Sequence, residues 1–123
     1  MTILEAISRV DRLEPNGFSQ EEKVRWLGQL EGQIFEEILK THEGGAVQDF
    51  RPYDEQTPLD TVLLVGAPFE ELYLHDLRAI IHYCNGEYDR FNQAAAMFQK
   101  EYKGFVNHYN RTHMPLARPF RYD

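Results

Sequence analysis

Apolar residues recur at steps of three and four through most of this chain, and the runs are bounded by residues that start or stop helices. Ile3, Ile7 and Val10 share one face with Leu4 and Leu13 beside it, which predicts a first helix ending near Leu13. "TILE" at its start reads as a capping box, Thr2 accepting from the Glu5 amide and Glu5 reaching back. "EPNG" then stops the helix, because Pro and Asn-Gly favour turns. The device repeats in "SQEE", where Ser19 and Glu22 form a second capping box. Val24, Leu27, Leu30, Ile34, Phe35 and Ile38 carry the second helix to about Lys40. Gly28 and Gly32 lie on it four apart, either as tolerated surface glycines or as the place where another backbone comes close.

Periodicity is lost from about His42 to Gly66, a long loop that carries Phe50 and Tyr53. "TVLLV" within it reads as a short strand or, in preference, as an extended segment packed on helices. Pro68 suits the first turn of a third helix, where its missing amide is harmless. Tyr73, Leu77, Ile80, Ile81 and Cys84 share a face of that helix, and the register continues through Tyr88, Phe91, Ala95, Phe98, Tyr102, Phe105 and Tyr109. One uninterrupted helix here would be about 63 Å long, against a radius of gyration near 14 Å for a chain of this size. A break at Asn85-Gly86 is therefore favoured, giving an αα-hairpin whose second helix starts near Glu87 to Asp89; a kinked long helix covered by an oligomer is the alternative. The expected fold is a single all-α domain of about four helices: an N-terminal pair over 2–41, a loop over 42–66, C-terminal helices over 68–110 and an extended tail over 111–123.

Composition agrees with a folded domain, since 42% of the residues are apolar and 27% charged. The formal charge of -7 disfavours nucleic acid and anionic membranes as partners of the whole surface. The sign is uneven, with 10 basic against 19 acidic residues up to Asn110 and three arginines against Asp123 beyond it. With so few charges the asymmetry is either chance or the pattern of a tail that docks on an acidic surface, including that of a second copy. A lone cysteine, an early Glu5 and no long apolar run lead to the expectation of a reducing compartment, no signal peptide and no membrane span.

Candidate chemistry is sparse. In "HYCNGEYDRF", His82 and Cys84 point about 200° apart on a helix, which argues against a nucleophile-base pair, and Cys84 is expected to be a buried small hydrophobe. Glu71 and His75 lie one turn apart and His82 two turns further from His75, a poor ligand set, so capping or exposed histidines are expected. Glu36-Glu37 and Glu70-Glu71 read as solvated faces, and "EGGA" lacks the setting of a phosphate loop. No catalytic residue, cofactor or metal is expected. The aromatic stripe from Phe91 to Tyr109 suits a core or a subunit interface. The tail "NRTHMPLARPFRYD" combines two prolines, three arginines, Phe120 and Tyr122, the residue types of a docking arm as well as of a frayed terminus.

In "TILEAISRVDRLEPNGFSQEEKVRWLGQLEGQIFEEILKTHEG", "LLVGAPFEELYLHDLRAIIHYCNGEYDRFNQAAAMF" and "YNRTHMP", the chain resembles the small head-tail connector proteins of tailed bacteriophages and prophages, mainly of Gram-positive bacteria. The resemblance implies a non-enzymatic virion protein, made in the bacterial host cytoplasm and placed in the virion neck. It implies a ring of about twelve subunits beneath the portal protein, bound to tail or stopper proteins, with DNA passing through without specific contacts. Subunits of that family hold neighbours through loops and terminal segments. The matching positions here are Phe50 and Tyr53 in the loop, with Arg111, His113, Arg118, Phe120, Arg121 and Tyr122 in the tail. "QAAAM" departs from the family, which has more Asn and Ser there. Two rival functions are a small helical adaptor that forms no ring and a metal-dependent enzyme built on Glu71, His75 and His82.

Overall fold

The computed structural model describes residues 1–42 and 50–114, and their fold is an all-α bundle of four helices. Helix α1 spans Ile3–Leu13 and α2 spans Gln20–Ile34, each opened by its complete capping box, Thr2 with Glu5 and Ser19 with Glu22. These reciprocal bonds satisfy backbone donors that a helix start otherwise leaves free. Phe35–Leu39 prolongs α2 as one π-helical turn, closed by a 2.9 Å bond from the Lys40 amide to the Phe35 carbonyl. Helix α3 spans Leu72–Cys84 and α4 spans Tyr88–Thr112.

Asn85-Gly86 breaks the long apolar register. Gly86 has φ +75°, the left-handed conformation that glycine adopts without a Cβ penalty. Its amide bonds the Tyr83 carbonyl at 3.1 Å while the Glu87 amide bonds the His82 carbonyl at 2.9 Å. The pair is a Schellman motif, which ends α3 and turns the chain so that α4 packs back along it. Helices α1 and α2 pack on α3 and on each other. Ile3, Val10, Leu27, Ile34, Leu72, Tyr73, Leu77 and Ile81 meet in one core. Lys23, only 3% exposed, anchors α2 to α1 through a 2.6 Å ion pair with Asp11.

"TVLLV" is extended and packs on the helices, as preferred from the sequence, with Leu63 and Val65 in the core. It also meets the chain's own start: Thr2 bridges to Val62, and the Leu63 amide donates to the Met1 carbonyl at 2.9 Å. Other details differ from the sequence reading. Helix α3 begins at Leu72, not at Pro68, whose bond to Ala67 is cis. Tight turns through Gly66–Leu72 bond the amides of Phe69 and Leu72 to carbonyls three residues back, so α-helical spacing starts later. Cys84 is exposed, not buried. The last inward positions of α3 belong to Ile81 and His82, and Cys84 lies one half-turn beyond them, on the rim.

Candidate functional site

The loop aromatics are drawn onto α2. Phe50 stacks on Phe35 with ring centroids 6.2 Å apart and meets Tyr53 edge-on at 5.4 Å. Gly28 makes this approach possible: a Cβ there would lie 3.1 Å from the Tyr53 Cβ and 3.2 Å from its backbone nitrogen, while one at Gly32 would meet Phe50 only at 3.8 Å. Alanine is favoured over glycine in a helix by about 1 kcal/mol, a gain that overpacking cancels at a crowded site. Gly32→Ala should therefore stabilise the protein, and Gly28→Ala should be less stable than Gly32→Ala by at least about 1 kcal/mol in urea melts.

Tyr53 also reaches a buried carboxylate. Glu31, fully buried in α2, accepts from Tyr73 Oη, from Tyr53 Oη at 2.9 Å and from the Leu64 amide at 2.8 Å. The Val65 amide in turn donates to Tyr73 Oη at 2.8 Å. Burial raises the Glu31 carboxyl above its ordinary range, and its three donors offset part of that rise. Burial, followed by the field of Glu31, pushes both tyrosines upward. With three protein donors on its two oxygens, Glu31 is a hub that fixes α2, α3 and two loop segments together.

The hairpin turn holds a second polar cluster. His82 is buried rather than exposed, with Nδ1 3.0 Å from Glu87 Oε1 and Nε2 3.4 Å from Glu14 Oε1. Glu14 also pairs with Arg78 at 3.3 Å. The His82 hydrogen bond is the largest of the effects that hold Glu87 below the usual carboxylate range. The arrangement clamps the end of α1 to both sides of the turn. Glu71 is taken by a two-pronged bond from Arg9, at 2.9 and 3.0 Å, and His75 lies 3.4 Å from Arg78. Burial, and then the Arg78 charge, holds His75 below its ordinary value. Among the described residues no group of three or more His, Cys, Asp or Glu is placed to hold a metal ion, and no helix is long and apolar enough to cross a membrane.

Two buried polar atoms among the described residues lack a hydrogen-bond partner: His82 Nε2, in the cluster above, and one between α3 and α4. A groove of about 440 Å³ runs there, lined by Ala79, Ile80, Tyr83, Phe91, Ala95 and Phe98, with Asp76 and Gln99 as its polar members. Asp76 Oδ2 is shielded from solvent and has no hydrogen-bond donor among the described residues. Burial alone pushes this carboxyl up to about 7. At the hairpin end Tyr83 packs edge-on against both Tyr88 and Phe91, at 5.9 and 5.3 Å, and yet Tyr83 and Tyr88 remain 58% and 60% exposed.

Of the contact residues expected from the sequence, Phe50 and Tyr53 come together on α2. Arg111 is exposed in the last turn of α4, and the His113 ring stacks on Tyr109 at 3.9 Å. Arg118, Phe120, Arg121 and Tyr122 lie outside the described residues. Sequence reasoning missed Glu31 and Asp76. The signal was present in both cases: Glu31 follows Leu27 by four and precedes Ile34 by three, and Asp76 stands between Tyr73 and Ile80 in the same way, each a charge written into an apolar stripe. Comparison of the chain with protein-family models, curated proteins and solved structures finds no match.

Proposed function

We propose that this protein is a head-tail connector of a tailed bacteriophage or prophage, a non-enzymatic subunit that self-associates into a ring between the portal and the tail. The observation that carries the reading is the incomplete cover of α4. This helix has 25 residues, and only Ala94, Phe105 and Tyr109 are buried. Its N-terminal half and the facing part of α3 carry an aromatic surface that the monomer leaves open, as a subunit built to pack against others would. The all-α fold is compatible with such a part. The resemblance in the three sequence blocks supplies the assembly. An acidic chain of charge -7 suits a channel wall, because fixed negative charge repels DNA phosphate and lets the duplex slide.

The test is the mass of the protein, alone and mixed with the portal protein of the same genome, by native mass spectrometry. Saturable binding of about a dozen copies per portal ring is expected. Failure to bind a portal, with a single partner captured one-to-one elsewhere, would replace the connector by a helical adaptor.

A further inference from the structure

We propose that the α3–α4 groove receives the C-terminal segment of a second copy of this chain, with Asp76 holding the Arg118 guanidinium. This deepens the self-assembly part of the function proposed above and rests on it; the portal part is separate.

The groove is apolar and aromatic except at Asp76, whose buried Oδ2 lacks a donor. A carboxylate held in that way is an incomplete ion pair, because an unpaired buried acceptor is costly and a charged donor removes the cost. Arginine fits better than lysine, since its planar guanidinium both donates to a carboxylate and stacks on aromatic rings such as Phe91 and Phe98. The chain supplies such a ligand in "PLARPF" (115–120). In an extended segment Leu116, Arg118 and Phe120 would fall on one face, a cation between two apolar side chains, which mirrors Asp76 between Ile80 and the α4 aromatics. The charge split agrees, with the acidic excess in the body and the basic excess beyond Asn110.

Reach favours a neighbour's arm. From Gln99, the groove residue furthest along α4, to Thr112, at the end of that helix, the rise is about 20 Å. The six residues from Thr112 to Arg118 span about 20 Å only when fully extended. The chain's own arm would have to run back nearly straight along α4, whereas the arm of an adjacent copy meets no such limit.

The experiment uses full-length chain with Arg118→Ala and Arg121→Ala, which disables its own arm, and a fluorescein-labelled peptide of residues 111–123. Saturable binding of one peptide per chain is expected, weakened about tenfold or more by adding Asp76→Asn to the receptor or by Arg118→Ala in the peptide. Light scattering of the unmodified chain should show concentration-dependent self-association that Asp76→Asn reduces to the same degree. Asp76→Asn should fold at least as firmly as the parent at pH 8, so a loss of binding is not a loss of structure. Absence of saturable peptide binding, or equal binding with Asn at position 76, would overturn the proposal. So would an unmodified chain that stays monomeric while the peptide binds only to the arm-disabled form, since the arm would then dock on its own chain. Portal binding that persists in any of these cases would leave the connector reading standing alone.

Discussion

Glu31→Ala is expected to destabilise the protein by about 3 to 5 kcal/mol, the range for breaking a buried polar network from one side. The substitution strands the hydroxyls of Tyr53 and Tyr73 and the amide of Leu64, and it leaves a void at a fully buried position of α2. Relief of burying a carboxyl works in the opposite direction, which keeps the loss below the sum of three orphaned donors. Glu31→Gln retains the shape and one acceptor oxygen but turns an amide NH2 toward donors, so roughly half of the loss should remain. Urea melts at pH 7 read both variants. A double-mutant cycle with Tyr73→Phe should show a coupling of at least about 1 kcal/mol between the two residues. An Ala variant within 1 kcal/mol of the parent would show that the hub is dispensable. The consequence for the surface is direct: Glu31 is the point where Tyr53 and the segment 63–65 are tied to the helices, so its loss should also raise hydrogen exchange at Leu64 and Val65.

That hub marks where sequence reading stops. The capping boxes of Thr2 with Glu5 and Ser19 with Glu22 were legible because both partners lie within one turn, and Asn85-Gly86 was legible because its backbone preference is local. Glu31 draws its donors from 22, 33 and 42 residues away, and no local pattern names them. Periodicity gave the inward face of α3 but not where its cover ends, so Cys84 was placed inside and His82 outside, the reverse of what the fold does. The close approach at Gly28 was one of two readings of a glycine pair, and only the position of Tyr53 decides between them. For the candidate site, composition pointed to a basic, aromatic tail and an acidic body, which are properties of the chain as a string. The receptor was not visible, because the groove beside Asp76 exists only where α4 folds back across α3.

The same residue sets the largest expected pH effect. An Asp whose carboxyl rises from 3.8 to about 7 on folding binds its proton more tightly in the folded state than in the unfolded chain. Between those two values the folded protein holds more protons, so stability is complete at low pH and falls as pH rises through about 7. At about 1.4 kcal/mol per unit, the window corresponds to about 4 kcal/mol at most. Glu31, also raised by burial, contributes with the same sign, so the parent's pH profile alone mixes the two. Asp76→Asn separates them, because Asn carries no proton to lose and the Glu31 contribution is common to both proteins. The variant should match the parent within about 1 kcal/mol near pH 4 and exceed it by about 2 to 4 kcal/mol at pH 8. Thermal melts across that range measure the difference. A constant offset between the two proteins would mean that Asp76 is ionised in the folded state throughout, and hence solvated or paired in solution. A growing offset would show a carboxylate kept at a cost in stability that the isolated chain does not offset, the condition under which a guanidinium from a neighbour binds with the greatest gain.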